Sequence, residues 1–185
     1  MATETEPRIA GTMMLQHRQV MEERFGKAPV ARAIATLSEA QRAELAGALP
    51  TTWVRLDAFR ALYDAVCRET GVDIDELHSA VTRESTARTV RTVWRMLLRM
   101  TGDQALVTRT PDMYRKAFSI GQVQSRLIEN GRSENVLTGW PNVPDFVLRQ
   151  VRVATAEVLA LAGRTNVDVR VERRPDGAQY TVTWR

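Results

Sequence analysis

The stretch "DVRVERRPDGAQYTVTWR", residues 168–185, is two alternating runs that meet at Pro175, Asp176 and Gly177. On the first run Val169 and Val171 continue a face begun by Val167, with Asp168, Arg170 and Glu172 opposite. On the second, Ala178, Tyr180, Val182 and Trp184 share a face, with Gln179, Thr181, Thr183 and Arg185 opposite. A period of two means one buried face and one wet face. Pro-Asp-Gly between two such runs is a turn, because proline presets its own φ and glycine accepts the reversed one. The segment therefore reads as a β-hairpin, and Trp184 as a core residue that caps a sheet against helices. Truncating so large a buried aromatic costs about 3–5 kcal/mol.

Working toward the N-terminus, "DFVLRQVRVATAEVLALAG" (145–163) is a helix. Val151, Ala154, Val158 and Leu161 form its core stripe, Gly163 closes it, and Asp145 is expected to cap it. Before it, "GQVQSRLIENG" (121–131) and "ENVLTGW" (134–140) flank Asn130 and Gly131 and read as two antiparallel strands. The first half is helical. Met13, Met14, Val20 and Met21 lie on one side of a helix over about 12–24. Ser38 and Gln41 have capping-box spacing. "TTWVRLDAFRALYDAVCRET" (51–70) carries Leu56, Phe59, Leu62, Tyr63, Val66 and Cys67 at threes and fours before Gly71. A helix over about 73–81 and a longer one over about 84–101 follow. Helices, then strand, strand, helix, strand, strand, predict an α+β fold: N-terminal helices packed on a small antiparallel sheet.

At 185 residues, the chain buries enough surface to fold without disulfides or metals. Residues 1–10 are expected to be a flexible arm and 11–185 a single α+β domain. One cysteine, Cys67, can form neither an internal disulfide nor, alone, a zinc site. The acidic, polar start "MATETEPRIAG" has no secretory pattern. The apolar stretch "VATAEVLALAG" is too short to span a bilayer. A reducing cytoplasm and no membrane span are the expectation. A net charge of +4 permits an anionic partner without specifying one.

The segments "YRKAF" (114–118), "GRSENVLTGWP" (131–141), "LALAG" (159–163) and "YTVTW" (180–184) carry a resemblance. In order and spacing the chain resembles a family of proteins expanded in myxobacteria, over about Gly11 to Trp184. That family is in turn distantly similar to four-vinyl reductase domains, to haem-nitric-oxide-binding domains and to the Bet-three-like subunits of the TRAPP complex. The resemblance implies a helical layer on an antiparallel sheet, dimerisation, and an apolar pocket for a ligand. Two departures stand beside it. Four-vinyl reductase domains cluster cysteines, and this chain has one. Haem-binding members use a proximal histidine and a Tyr-x-Ser-x-Arg propionate clamp. "YRKAFS" has the tyrosine without the serine or arginine at those offsets.

Candidate sites follow, each against its plain alternative. Arg88, Arg91, Arg95 and Arg99 fall within about 80° of arc on one helix, with Val90, Val93, Trp94 and Leu97 opposite. A row of guanidiniums suits carboxylates and phosphates; the alternative is a solvated face neutralised by Glu84 or other acids. Cys67, Trp94, Tyr114, Phe118 and Trp140 are candidates to line an apolar pocket, against the commoner outcome of plain core. By the Bet-three-like resemblance Cys67 implies an acylation site; buried free cysteines otherwise act as small hydrophobes. His78 is a conceivable haem or metal ligand, against a helix-surface or capping histidine, and His17 has no companion in sequence. No phosphate loop, nucleophile elbow or nucleic-acid-binding motif is present. The expectation is therefore a non-enzymatic adaptor or sensor module, without catalytic residues, metal or cofactor. Its partner is a protein or a second copy of itself, with a small apolar ligand as modulator. A haem or other small-molecule sensor is the alternative, and nucleic-acid binding through the arginine helix is the minor one.

Overall fold

The computed structural model describes residues 6–90 and 98–185. Two compact units form. One comprises the chain up to residue 85 together with residues 117–119; the other comprises residues 86–116 and 120–185.

The N-terminal unit contains β1 (Arg8–Ala10), α1 (Gly11–Phe25), α2 (Lys27–Ala35), α3 (Glu39–Ala46), β2 (Trp53–Arg55), α4 (Leu56–Thr70) and most of α5 (Ile74–Thr89). Residues 8–10 belong to this framework and not to a flexible arm. Ile9 pairs with Val54 across an antiparallel ribbon, bridges Phe118 on its other side, and is fully buried. A buried strand residue with backbone partners on both flanks cannot be an arm. Trp53, Val54 and Arg55 are likewise strand, although they precede the α4 stripe without a break in the helical pattern. The stripe itself is as expected: Leu56, Phe59, Leu62, Tyr63 and Val66 are all buried, and Gly71 closes the helix in the left-handed region at φ 73°. Ser38 and Gln41 form the reciprocal capping box at 3.3 and 3.2 Å. The break expected near residues 82–83 is not there, and α5 runs on through Thr89. Thr82 and Ser85 lie on its buried side, and Ser85 bonds back to the Thr82 carbonyl at 3.1 Å. The Ser85 hydroxyl is thus satisfied within the helix, and a buried serine there does not end it.

The C-terminal unit contains most of α6 (Asp103–Ala117), then β3 (Gln122–Glu129), β4 (Arg132–Thr138), α7 (Asp145–Leu161), β5 (Asp168–Arg174) and β6 (Gly177–Thr183). The strands form one antiparallel sheet in the order β3-β4-β6-β5. Both predicted hairpins are present, and the two hairpins join through β4 and β6. Their turns also meet the neighbouring hairpin. Asp176 accepts from the Gly139 amide at 3.0 Å, and Gly131 accepts from the Trp184 amide at 2.9 Å. Ala178, Tyr180, Val182 and Trp184 are buried, as the alternation requires. Asp145 is the first residue of α7 and not its cap. Its carboxylate pairs with Arg173 at 2.6 Å.

Trp184 is held at its polar end as well. Its indole nitrogen donates to Asp103 at 3.0 Å, and Arg164 donates to the same carboxylate at 2.7 and 3.0 Å. Arg164 is fixed in turn by the carbonyls of Ala162 and Thr101 at 2.6 and 2.7 Å. The start of α6, the loop after α7 and the end of β6 thus converge on one carboxylate.

Candidate functional site

Each unit carries one polar feature where the sequence pattern alone would place more apolar core. In the N-terminal unit, α1 buries Met14, His17, Val20 and Met21, so His17 stands on the inward stripe. α4 buries Phe59 and Tyr63 one turn apart, and α5 buries Leu77, His78 and Val81. Three helices thus point an imidazole, a phenol and a second imidazole inward. His17 is 1% exposed and Tyr63 and His78 are 0%. The Tyr63 hydroxyl lies 2.5 Å from His17 Nδ1. Tyr63 stands edge-on to His78 at 5.1 Å between centroids, and to Phe59 at 5.4 Å, while His17 tilts against Phe59 at 5.2 Å. Such edge contacts are favourable aromatic geometry.

Burial sets the charge of this cluster. It lowers the His17 pKa to about 3, with His78 adding to the effect. It raises the Tyr63 pKa well above the ordinary 10, with Cys67 contributing. The short contact therefore joins two uncharged groups, as a low-polarity interior demands. Both histidines belong to the core: neither the surface position expected for His78 nor the isolation expected for His17 holds. Cys67, one turn beyond Tyr63, is half-buried, and burial with Asp64 and Asp73 nearby raises its pKa to about 11. It is a protonated thiol near neutrality, which is a poor nucleophile and a poor metal ligand.

In the C-terminal unit the polar feature crosses the sheet. Ser125 pairs with Asn135, and Asn135 with Tyr180, so the three stand in one row over β3, β4 and β6. The flanking rows on the same face are Val123, Leu137 and Ala178 on one side and Leu127, Ser133 and Val182 on the other. Tyr180 is 1% and Asn135 5% exposed. The Ser125 hydroxyl, the Asn135 side-chain carbonyl and the Tyr180 hydroxyl are all buried, and none has a hydrogen-bond partner among the described residues. Burial raises the Tyr180 pKa, against a lowering influence from Arg173. Burial likewise raises that of Tyr114, with Tyr180 nearby. The row is thus neutral and unsatisfied. An unmade buried hydrogen bond costs roughly 1–3 kcal/mol, so three in register call for a partner that fills them.

The residues anticipated as pocket lining divide between the units. Cys67 and Phe118 belong to the N-terminal one; Tyr114 and Trp140, both buried, belong to the C-terminal one. The Tyr114 hydroxyl donates to the Ile120 carbonyl at 3.1 Å. Trp94 lies outside the described residues, as do Arg91 and Arg95. Of the arginine row, Arg88 is half-buried and Arg99 exposed. Glu84, the expected neutralising acid, pairs with Arg24 at 3.4 Å. The sequence pointed to His17 and His78 one at a time and to Tyr180 as a core residue, but to neither grouping. His17, Tyr63 and His78 lie on three separate helices, and Ser125, Asn135 and Tyr180 on three strands. The one legible signal was a polar residue on each otherwise apolar face.

The architecture is that of H-NOX domains. The unliganded Fe(II) H-NOX protein from K. algicida is 11% identical, with a TM-score of 0.69 over 95% of this chain and 96% of that one. An oxygen-binding H-NOX domain related to soluble guanylate cyclases, in its oxygen complex, is 12% identical. Its TM-score is 0.64 over 95% of this chain and 94% of that one. At these identities the likeness is one of fold. No protein-family model and no curated protein matches the chain.

A shared fold with haem proteins makes haem the group to test against the residues. The fit is poor. The chain has two histidines, both in the core of the N-terminal unit, and the Nδ1 of one is engaged by Tyr63. The C-terminal unit contains neither histidine nor cysteine. None of Tyr63, Tyr114 and Tyr180 is followed by serine at the second place and arginine at the fourth, so the propionate clamp of haem-binding members has no counterpart.

Proposed function

We propose that this chain is a non-enzymatic sensor module on the H-NOX architecture. It binds a small, uncharged, largely apolar ligand against the polar row of its sheet. It passes the bound state to a protein partner or to a second copy of itself in a cytoplasmic homodimer. The observation that supports this most is the row Ser125, Asn135 and Tyr180, three buried polar atoms in register without partners. A ligand with a hydroxyl or carbonyl at its polar end and an apolar body would satisfy the row and match the apolar row of Val123, Leu137 and Ala178 beside it. The row carries no formal charge, so it favours a neutral ligand over an ionised one. The fold likeness to gas- and haem-binding domains supports a sensing role by analogy of architecture only.

The test is native mass spectrometry of the purified full chain, with a visible absorption spectrum from the same sample. A retained mass of a few hundred daltons, without a Soret band, is the expected result. Ser125→Ala, Asn135→Val and Tyr180→Phe together should abolish that mass. A bare protein mass would assign the row to buried water. A haem-sensor reading draws on the Fe(II) and oxygen-bound neighbours. A Soret band lost in His78→Ala would establish it and overturn the haem-free reading.

A further inference from the structure

We infer that the free edge of β5 is where two copies of this chain join, sheet to sheet, about a two-fold axis. This names the interface of the dimer proposed above and rests on that dimer, not on its ligand.

β5 (Asp168–Arg174) ends the sheet order β3-β4-β6-β5, so one of its flanks is without a strand. The register fixes which backbone groups face that flank. Arg174 and Gly177 close a two-residue turn and so form a hydrogen-bonded pair. Such pairs alternate along an antiparallel ladder, so Glu172, Arg170 and Asp168 also bond to β6. The amides and carbonyls of Val169, Val171 and Arg173 therefore turn outward. No residue from 168 to 174 makes a backbone bond to a described element other than β6. The strand contains neither proline nor glycine, and its register with β6 runs without a shift. The opposite edge differs: β3 has a register shift between Leu127 and Glu129, one of the devices that keep an edge from pairing.

The order of charges on β5 selects a second copy as the occupant. Residues directly opposite in an antiparallel pair share a face, so a two-fold pairing of β5 with itself is centred on a residue. Centred on Val171, it sets Arg170 opposite the partner's Glu172 and Asp168 opposite the partner's Arg174, and symmetry repeats each pair. These fall at the non-hydrogen-bonded positions, where side chains come closest. The outward groups of Val169, Val171 and Arg173 fall at the hydrogen-bonded ones. Moving the centre to the next residue of that face opposes like charges. About Arg170, Asp168 meets the partner's Glu172; about Glu172, Arg170 meets the partner's Arg174. An edge charged with one sign repels its own copy. This order of signs attracts it, in one register. Asp168, Arg170, Glu172 and Arg174 are all exposed. Within the chain Glu172 stands opposite Gln179, so the sheet itself offers it no cation. Asp168 meets Arg170 at 3.0 Å, with both side chains more than half exposed, and such a pair is exchanged at little cost.

The experiment is sedimentation equilibrium of the full chain at about 100 µM, above the roughly micromolar affinity of a small interface. Four samples are compared: the parent, Arg170→Glu, Glu172→Arg, and an equimolar mixture of the two variants. Native mass spectrometry of the same samples reads any retained ligand. The parent is expected to be a dimer. Each variant alone sets like charges opposite each other at both symmetry-related places, and should dissociate about tenfold or more readily. In the mixture the new acid of one chain faces the new base of the other, and a heterodimer of parental affinity is expected. A mixture that stays monomeric overturns the interface, as does dimerisation unchanged in both variants. A monomeric parent that retains a ligand mass also overturns it and leaves the ligand reading standing; a bare dimer with the expected charge behaviour does the reverse. The substituted side chains are exposed, so thermal melting of both variants should match the parent.

Discussion

His17 is uncharged because the core around it is poorly polar, and that gives the chain a measurable acid sensitivity. Its pKa is about 3 in the folded chain, against an ordinary 6.5. Above the ordinary value neither state holds the proton, and the full stability is present. As pH falls from 6.5 toward 3 the unfolded chain takes up a proton that the folded core refuses. Stability is lost through that window, by up to on the order of 5 kcal/mol at its lower end. Urea midpoints measured from about pH 7 to about pH 4 should therefore fall in the parent and fall less in His17→Gln, which cannot ionise. If the two slopes agree, the His17 proton is not what the acid acts on. Tyr63→Phe removes the hydroxyl that meets His17 Nδ1. It should cost about 1–3 kcal/mol at neutral pH, the usual consequence of deleting one partner of a buried hydrogen bond.

Among the elements, the closing strand depends on contacts far from it in sequence. Asp103 opens α6 and receives Arg164 from the loop after α7 and Trp184 from the end of β6. Asp103→Ala leaves a largely buried guanidinium without its counter-ion and should lower unfolding stability by about 3 kcal/mol. Trp184→Phe keeps the apolar body and loses one bond, and should cost nearer 1 kcal/mol in the same urea titration. The β3–β4 turn is constrained in a second way. Gly131 has φ 84°, and a side-chain carbon there would come within 2.7 Å of the Trp184 carbonyl oxygen. Gly131→Ala therefore meets both an unfavourable φ and a backbone clash. A loss of about 2 kcal/mol or more is expected from thermal melting. A neutral result would mean that the two hairpin ends do not approach as closely as described.

On the scale of the whole molecule, the chain returns to its N-terminal unit for three residues, 117–119, before the sheet begins. Phe118 bridges Ile9, and the Ser119 amide donates to the Arg8 carbonyl at 3.0 Å. Phe118→Ala should cost about 3–5 kcal/mol. Native-state hydrogen exchange then distinguishes two behaviours. Faster exchange confined to α1 and the β1–β2 ribbon means that the N-terminal unit opens by itself. Equal acceleration in β4 and β6 means that both units unfold as one.

What the sequence determined by itself is the local order of the fold. Alternation at 168–185 and 121–140, the α4 stripe, and the Ser38–Gln41 box each act over a few residues, so periodicity and turn chemistry reveal them. Trp184 was legible as core for the same reason. Its hold on Asp103 was not, because 81 residues separate the two. Tertiary structure alone decided that Arg8–Ala10 is a strand, since three residues have no pattern until β2 and Phe118 flank them. It alone brought His17, Tyr63 and His78 into one buried cluster, and Ser125, Asn135 and Tyr180 into one row. A polar residue on an apolar face shows in a sequence as an exception. Which exceptions meet depends on helix packing and strand register, and those are fixed by contacts between elements.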